Sequence, residues 1–253
     1  MIYGTYLSAT GISQARAKQD VIANNLANAE TTGFRRLLTL ESERPPEAGN
    51  PEPLRGITGG NVLMPTRVDP TAGALTETGN PLDLAIIGDG YLAVERDTPA
   101  GPKLALTRDG RLGIDANGTL TLAGQPDARV LGDDGRVIRL GLGTTAEELT
   151  INEAGEIAER ATGRSLATLR MSVPADASKM SQIGGGLLDP NGLIEDADAG
   201  VSVQGGFVEG SNVDPTTELT RMMEVSRHLE ANANMIRFQD ESLGRLIEAS
   251  AVS

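Results

Sequence analysis

The sequence predicts an α+β protein: long N- and C-terminal helices that pair as a coiled-coil-like stem, with a central all-β domain inserted between them. Three observations predict it. Apolar residues recur in the alternating 3,4 spacing of a heptad at both ends of the chain. Tight-turn signals separated by short apolar runs fill the middle. Charge divides the same way: residues 1–44 carry a net +1, residues 45–206 a net −10 and residues 207–253 a net −4.

The first helix is read from Ile12, Ala15, Gln19, Ile22, Leu26 and Ala29, a heptad seam with one polar interruption at Gln19. Gly33 is the expected stop, because glycine tolerates the left-handed conformation that ends many helices. Before it, Asn24, Asn25, Asn28, Thr31 and Thr32 make a last turn rich in amides and hydroxyls. Such side chains compete for backbone hydrogen bonds and end helices; contacts between chains would use them equally well.

Residues 41–80, rich in Pro, Gly and Thr, have little periodicity and read as an extended linker or long loop. The all-β domain is expected over 81–206. Leu82, Leu84, Ile86 and Ile87, then Tyr91, Ala93 and Val94, flank Gly88-Asp89-Gly90, a hairpin-like signal. Asp109-Gly110, Asn117-Gly118, Asp133-Asp134-Gly135 and Ala154-Gly155 repeat it, with short apolar runs such as Leu120–Leu122 and Leu166–Met171 between. The helical stem then comprises 1–40 together with 207–253. Its second helix starts at Asp214, a good cap, and Pro215, which suits the first helical position. Leu219, Met222, Ser226, Leu229, Ala233, Ile236, Asp240, Leu243 and Ile247 continue the heptad.

Many seam residues are small, so they bury little apolar area while letting helices approach closely. Two such helices alone make a marginal stem. Packing on stems of other copies or of related subunits resolves this; folding back onto the β domain is the other solution.

Composition excludes much chemistry. With 22 basic against 35 acidic residues the chain is a poor partner for nucleic acid or anionic lipid, and nothing in it approaches a membrane span. It has no Cys, which removes disulfides, thiol catalysis and Cys-based metal sites. Six aromatic residues argue against a large small-molecule pocket. The one histidine, His228, lies within the second helix, so no multi-His metal site forms and a catalytic triad has a single candidate base. Phosphate-loop and dinucleotide fingerprints are missing, and Asp115, Asn117, Asp133 and Asp134 lack the full spacing of a calcium loop. No enzyme, no cofactor, no metal and no small-molecule substrate are expected. The N-terminus lacks the basic and apolar regions of a cleaved secretory signal.

Three stretches carry a resemblance. Val21–Asn28 followed by Thr32-Gly33-Phe34-Arg35, then Pro81–Ile86 with Gly88–Tyr91, Thr107–Gly110 and Gly118–Leu120, and finally Gly206, Glu209, Ser211–Val213, Glu218, Met222, Arg227, Glu230 and Asp240 fall in one order. Together they resemble the bacterial flagellar rod and hook proteins, over nearly the whole chain. Leu229 stands where that family often has an aromatic residue. The length resembles a rod member more than a hook protein.

The resemblance implies a non-enzymatic axial subunit of the periplasmic rod. It would be handled by the flagellar type III export apparatus and polymerise with other copies and paralogous rod proteins, to help carry torque from motor to hook. It implies inner terminal helices and an outer β domain. The expected subunit-interface residues are Ile12, Ala15, Gln19, Ile22, Asn24, Asn25, Leu26, Asn28, Leu219, Met222, Arg227, Leu229, Glu230, Ile236, Asp240 and Leu243, the polar ones setting register. A dimeric binding module with an acidic β head is the competing reading.

Overall fold

The computed structural model describes residues 2–43, 61–99, 101–197 and 200–251. The stretch 44–60 of the expected linker lies outside them. The fold is α+β, with an N-terminal helix, a β-rich centre and a C-terminal helix. The chain forms two compact units. A helical unit takes Met1–Ala27, Leu37–Thr66 and Asp214–Ser253; a β unit takes Asn28–Arg36 and Arg67–Val213.

In the helical unit, α1 spans Ile2–Ala27 and α2 spans Pro215–Ala251. Helix α2 starts where its capping residues predict. Asp214 accepts from the Thr216 backbone N–H at 3.1 Å, and its main-chain carbonyl accepts from Glu218 N at 3.0 Å. Helix α1 begins ten residues before the predicted seam and ends at Ala27, six residues short of Gly33. Gly33 therefore does not cap it. Its φ of +68° belongs to the β unit, where a side chain would strike backbone: an added Cβ would stand 2.2 Å from Asp109 N. After Ala27 the chain turns, with Thr31 N donating to Asn28 O at 3.1 Å and the Thr31 hydroxyl to Asn28 Oδ1 at 3.2 Å.

Where the sequence predicts a linker over 41–80, the described residues include short strands. Glu41–Glu43 pairs antiparallel with Asn61–Leu63 in the helical unit, and Leu75–Glu77 pairs with Phe207–Glu209 in the β unit. These strands are three residues long, too short for a hydrophobic period to show.

The β unit is built on a nine-stranded antiparallel sheet. Its longest strand, Tyr91–Thr98, pairs along its length with Gly101–Thr107 and also with Gln125–Val130. The first half of that strand is apolar and buried, from Tyr91 to Val94. The second half is charged, and Arg129 on the neighbouring strand meets Glu95 at 3.0 Å. Leu82, Leu84, Ile86, Leu92, Val94 and Leu120 lie within one hydrophobic core that runs from Leu82 to Val203 in sequence.

Turn signals divide into hairpins and corners. Asn117-Gly118 closes the hairpin between Leu112–Ile114 and Leu120–Leu122, and Ala154-Gly155 closes that between Leu149–Ile151 and Glu156–Glu159. Gly88-Asp89-Gly90 is a corner instead. Leu84–Ile87 pairs with Ser202–Gly205, while Tyr91–Thr98 enters the large sheet. The glycines serve close packing there: a Cβ on Gly90 would lie 2.7 Å from Val201 Cγ1.

Candidate functional site

Helices α1 and α2 lie against each other and run antiparallel within the helical unit. Thr5 Oγ1 donates to Gln239 Oε1 at 2.8 Å, and Gln19 Nε2 donates to Ser226 Oγ at 3.0 Å. Early residues of α1 thus meet late residues of α2. On α1, Ser8, Ala15, Ile22 and Asn25 are buried, with Ile12, Gln19 and Leu26 half-buried beside them. The half-buried stripe of α2 between Met222 and Leu243 is Met222, Val225, Ser226, Leu229, Asn232, Ala233, Ile236, Gln239 and Leu243.

That stripe keeps Met222, Ser226, Leu229, Ala233, Ile236 and Leu243 of the predicted one and widens it to one side. Asn232 and Gln239 lie in it, next to the expected Ala233 and Asp240; Ala233 is half-buried and Asp240 is exposed. The partner helix supplies the reason. Gly11 and Gly4 leave room opposite these amides, and an added Cβ would lie 2.8 Å from Asn232 Nδ2 and 2.5 Å from Gln239 Nε2. Glycine costs a helix about 1 kcal/mol relative to alanine, and here it admits a polar side chain against the helix backbone. Two glycines seven residues apart are the signal that could have found this.

Asn25 has the most specific environment of the expected interface residues. Its amide bonds the backbone of Leu37 in both directions: Nδ2 donates to Leu37 O at 3.0 Å, and Leu37 N donates to Oδ1 at 2.8 Å. The side chain thus serves Leu37 as a neighbouring strand would. Nδ2 also approaches Glu218 Oε2 at 3.4 Å, and the other Glu218 oxygen accepts from Arg221 at 2.8 Å. Glu218 is 1% exposed. It lies in the first turn of α2, where the helix dipole favours a carboxylate. Asn25 is therefore engaged inside its own chain.

The other expected residues scatter. Asn28 belongs to the β unit, in the turn after α1. Asn24, Arg227, Glu230 and Asp240 are exposed, as is Leu219. Exposed beyond the prediction are Met223, Met235 and Phe238, the last at 68%. At 100° per residue Met223 and Phe238 fall on the side of α2 away from the stripe, and Met235 on its flank. Lys18 pairs with Glu41 at 2.6 Å, beside a groove that Gly11, Val225 and His228 help to line. Among the described residues no helix is long and apolar enough to cross a membrane, and no three acidic or histidine side chains gather to hold a metal ion.

Known proteins match the same regions. Residues 6–35 match the flagella basal body rod protein family, and residues 204–249 match the C-terminal family of the flagellar basal body rod FlgEFG proteins. The flagellar basal-body rod protein FlgF of Salmonella typhimurium is 30% identical over 276 aligned residues that span all of both chains. The chain belongs to the flagellar basal-body rod protein family. The FlgF protein of Rhizobium meliloti is 31% identical, covering 97% of this chain and 96% of its own. FlgG of Agrobacterium fabrum is 30% identical over 93% of this chain and 94% of its own. Membership makes the chain a structural protein of the flagellar basal-body rod. The two matched segments hold α1 and α2 almost whole.

Proposed function

We propose that this rod protein is a non-enzymatic axial subunit that polymerises through its terminal helices and helps carry torque from motor to hook. The helices pair as a coiled-coil-like stem, and the acidic β unit faces outward. Partners are other copies and paralogous rod proteins, reached after unfolded passage through the type III export apparatus. No cofactor, nucleic acid or small-molecule substrate is involved. The length, the single β region and the short linker favour a proximal over a distal rod position.

One observation carries this reading. The helical unit leaves Met223, Met235 and Phe238 exposed on α2, on the face that α1 does not cover. A helix apolar on two faces needs a second neighbour. The interface is therefore assigned to the outward face of α2 with the exposed Leu219, Arg227 and Glu230, and to the exposed Asp240 at the edge of the inward stripe. Ile22 and Leu229 act one step earlier, by holding the pair together.

The test is assembly in cells. Deleting the gene should abolish motility, and the protein should be found in purified basal bodies. Phe238→Ser should block incorporation while the monomer folds normally. Ile22→Asp or Leu229→Asp should block it with the β unit intact. Normal motility and normal recovery of the protein in basal bodies from all three variants would reject the assigned faces. A closed dimer as the end product would favour the binding-module reading instead.

A further inference from the structure

Three charges lie buried together in the β unit. Arg35, Arg108 and Glu209 have side chains 1%, 3% and 1% exposed. Arg35 Nη2 meets Glu209 Oε1 at 2.8 Å, and Arg108 Nη1 meets Oε2 at 3.2 Å. The carboxylate is further held by Gly73 N, which donates to Oε1 at 2.8 Å. Its main-chain carbonyl accepts from Gly33 N at 2.7 Å. Arg35 also donates to Thr71 O. Arg108 donates to Ile86 O at 3.1 Å and Gly88 O at 2.6 Å, and lies 4.9 Å from the centre of the Tyr91 ring. Asn212 adds a second tie, accepting from Arg36 N at 2.7 Å and donating to Thr71 O at 2.8 Å.

The position of these residues in the chain gives the cluster its meaning. The chain first enters the β unit over residues 28–36, leaves it for 37–66, re-enters at Arg67, and leaves it for the last time after residues 207–213. Glu209 joins the first and last of these crossings to the loop at 71–73. None of Arg35, Arg108, Glu209 or the apolar residues beside them, Phe34 and Val208, belongs to the hydrophobic core that runs from Leu82 to Val203. The core is closed by apolar burial; the two chain ends are closed by charge.

We propose that Arg35, Arg108 and Glu209 form a latch that holds the two ends of the β unit shut over an independently folded core. One carboxylate bridges two guanidinium groups, so the latch fails as a whole when Glu209 loses its charge. Glutamine could accept from one arginine, but its NH2 would face a second donor. Burial and the neighbouring Arg35 both already press on Arg108, lowering its pKa from the ordinary guanidinium value. The latch also closes late in folding, because it joins segments separated by ~170 residues, whose loop must first be shortened by the core. If the rod reading holds, force entering through the first and last of these crossings reaches this latch before it reaches the core.

Amide hydrogen exchange on the full-length monomer tests the latch without reference to assembly, so its failure and that of the rod reading are separate events. In the wild type, the Gly33, Gly73 and Gly210 amides should exchange as slowly as those of Ala93, Leu131 and Ile138. In Glu209→Gln the first three should speed up at least 100-fold while the second three keep their protection. Arg35→Met, which leaves Arg108 and Glu209 paired one to one, should speed Gly33 at least 10-fold and leave Ala93 unchanged. Unchanged protection at Gly33 and Gly73 in Glu209→Gln overturns the proposal. So does equal loss at Ala93 in either variant, because the charges would then be part of the core.

Discussion

The two units bury very different things. In the β unit, Leu84, Leu92, Val94, Leu120, Leu149, Ile157 and Leu187 are fully buried within one core. In the helical unit, the buried apolar side chains among the described residues are Ala15, Ile22 and Leu37, alongside the polar Ser8, Asn25 and Glu218. Helix α2 meanwhile exposes Leu219, Met223, Met235 and Phe238. One unit finishes its core within a single chain. The other is specified mainly by polar fit, with glycine against amide and amide against backbone, and leaves apolar surface for something else to cover. Stability of a helix comes mostly from packing its apolar face, so this difference should govern how each unit behaves in a free monomer.

Hydrogen exchange gives the largest expected contrast. Backbone amides of Tyr91–Thr98 and Gly101–Thr107 should be protected by orders of magnitude more than those across 10–30 and 216–246. Equal protection of both in a monomer would break the comparison, because the helical unit would then need no partner.

Truncation sharpens it. Leu106→Ala removes a side chain with 0% exposure and should cost about 2–5 kcal/mol, measured by urea unfolding followed by circular dichroism. Met223→Ala, at 58% exposure, should change monomer stability by about 0.5 kcal/mol or less. A large loss from Met223→Ala would mean that the outward face of α2 already has a partner within the chain.

How much of this was legible in the sequence follows the same division. The β unit announced itself through period-two apolar runs and glycine turns, because burial on one sheet face writes that pattern directly. Which turns were hairpins did not show: Asn117-Gly118 and Gly88-Asp89-Gly90 look alike locally, and only the partner strands distinguish a hairpin from a corner. Helix α2 was legible from Asp214 and Pro215 onward. Its inward stripe was half legible, because a hydrophobic scale passes over Asn232 and Gln239, whose fit depends on Gly11 and Gly4 in another helix. Asn25 was singled out by its type, but its partner, the backbone of Leu37, carries no side-chain signal at all. Arg35, Arg108 and Glu209 stood in the quoted motifs, yet nothing in one sequence pairs residues so far apart.

Asn25 permits a test on the polar side of the comparison. Asn25→Ala leaves the N–H and C=O of Leu37 without their side-chain partner in a buried site and should cost about 1–3 kcal/mol. The loss should appear as faster exchange of the Leu37 amide, with Ala93 in the β unit unaffected. An unchanged Leu37 amide would show that water replaces the side chain there, and the helical unit would be less specifically built than described.

The smallest effect is expected at the start of α2. Asp214 holds its carboxyl below the usual carboxylate value, chiefly through the hydrogen bond from the Thr217 hydroxyl and then the backbone bond from Thr216. Because its folded value lies below its unfolded value, about 3.9, the cap contributes fully above that pH and is lost as pH falls through the folded value. Asp214→Asn keeps an acceptor but cannot titrate, so protection of the Thr216 and Thr217 amides should become flat across that acid window. Asp214→Ala should lower it at every pH. The carboxyl is exposed, so the change should stay within the first turn of α2 and leave the β unit untouched. Acid loosening of that turn in the Asn variant as well would show that the Asp214 carboxylate is not the group through which pH acts there, and the cap would be a structural feature only.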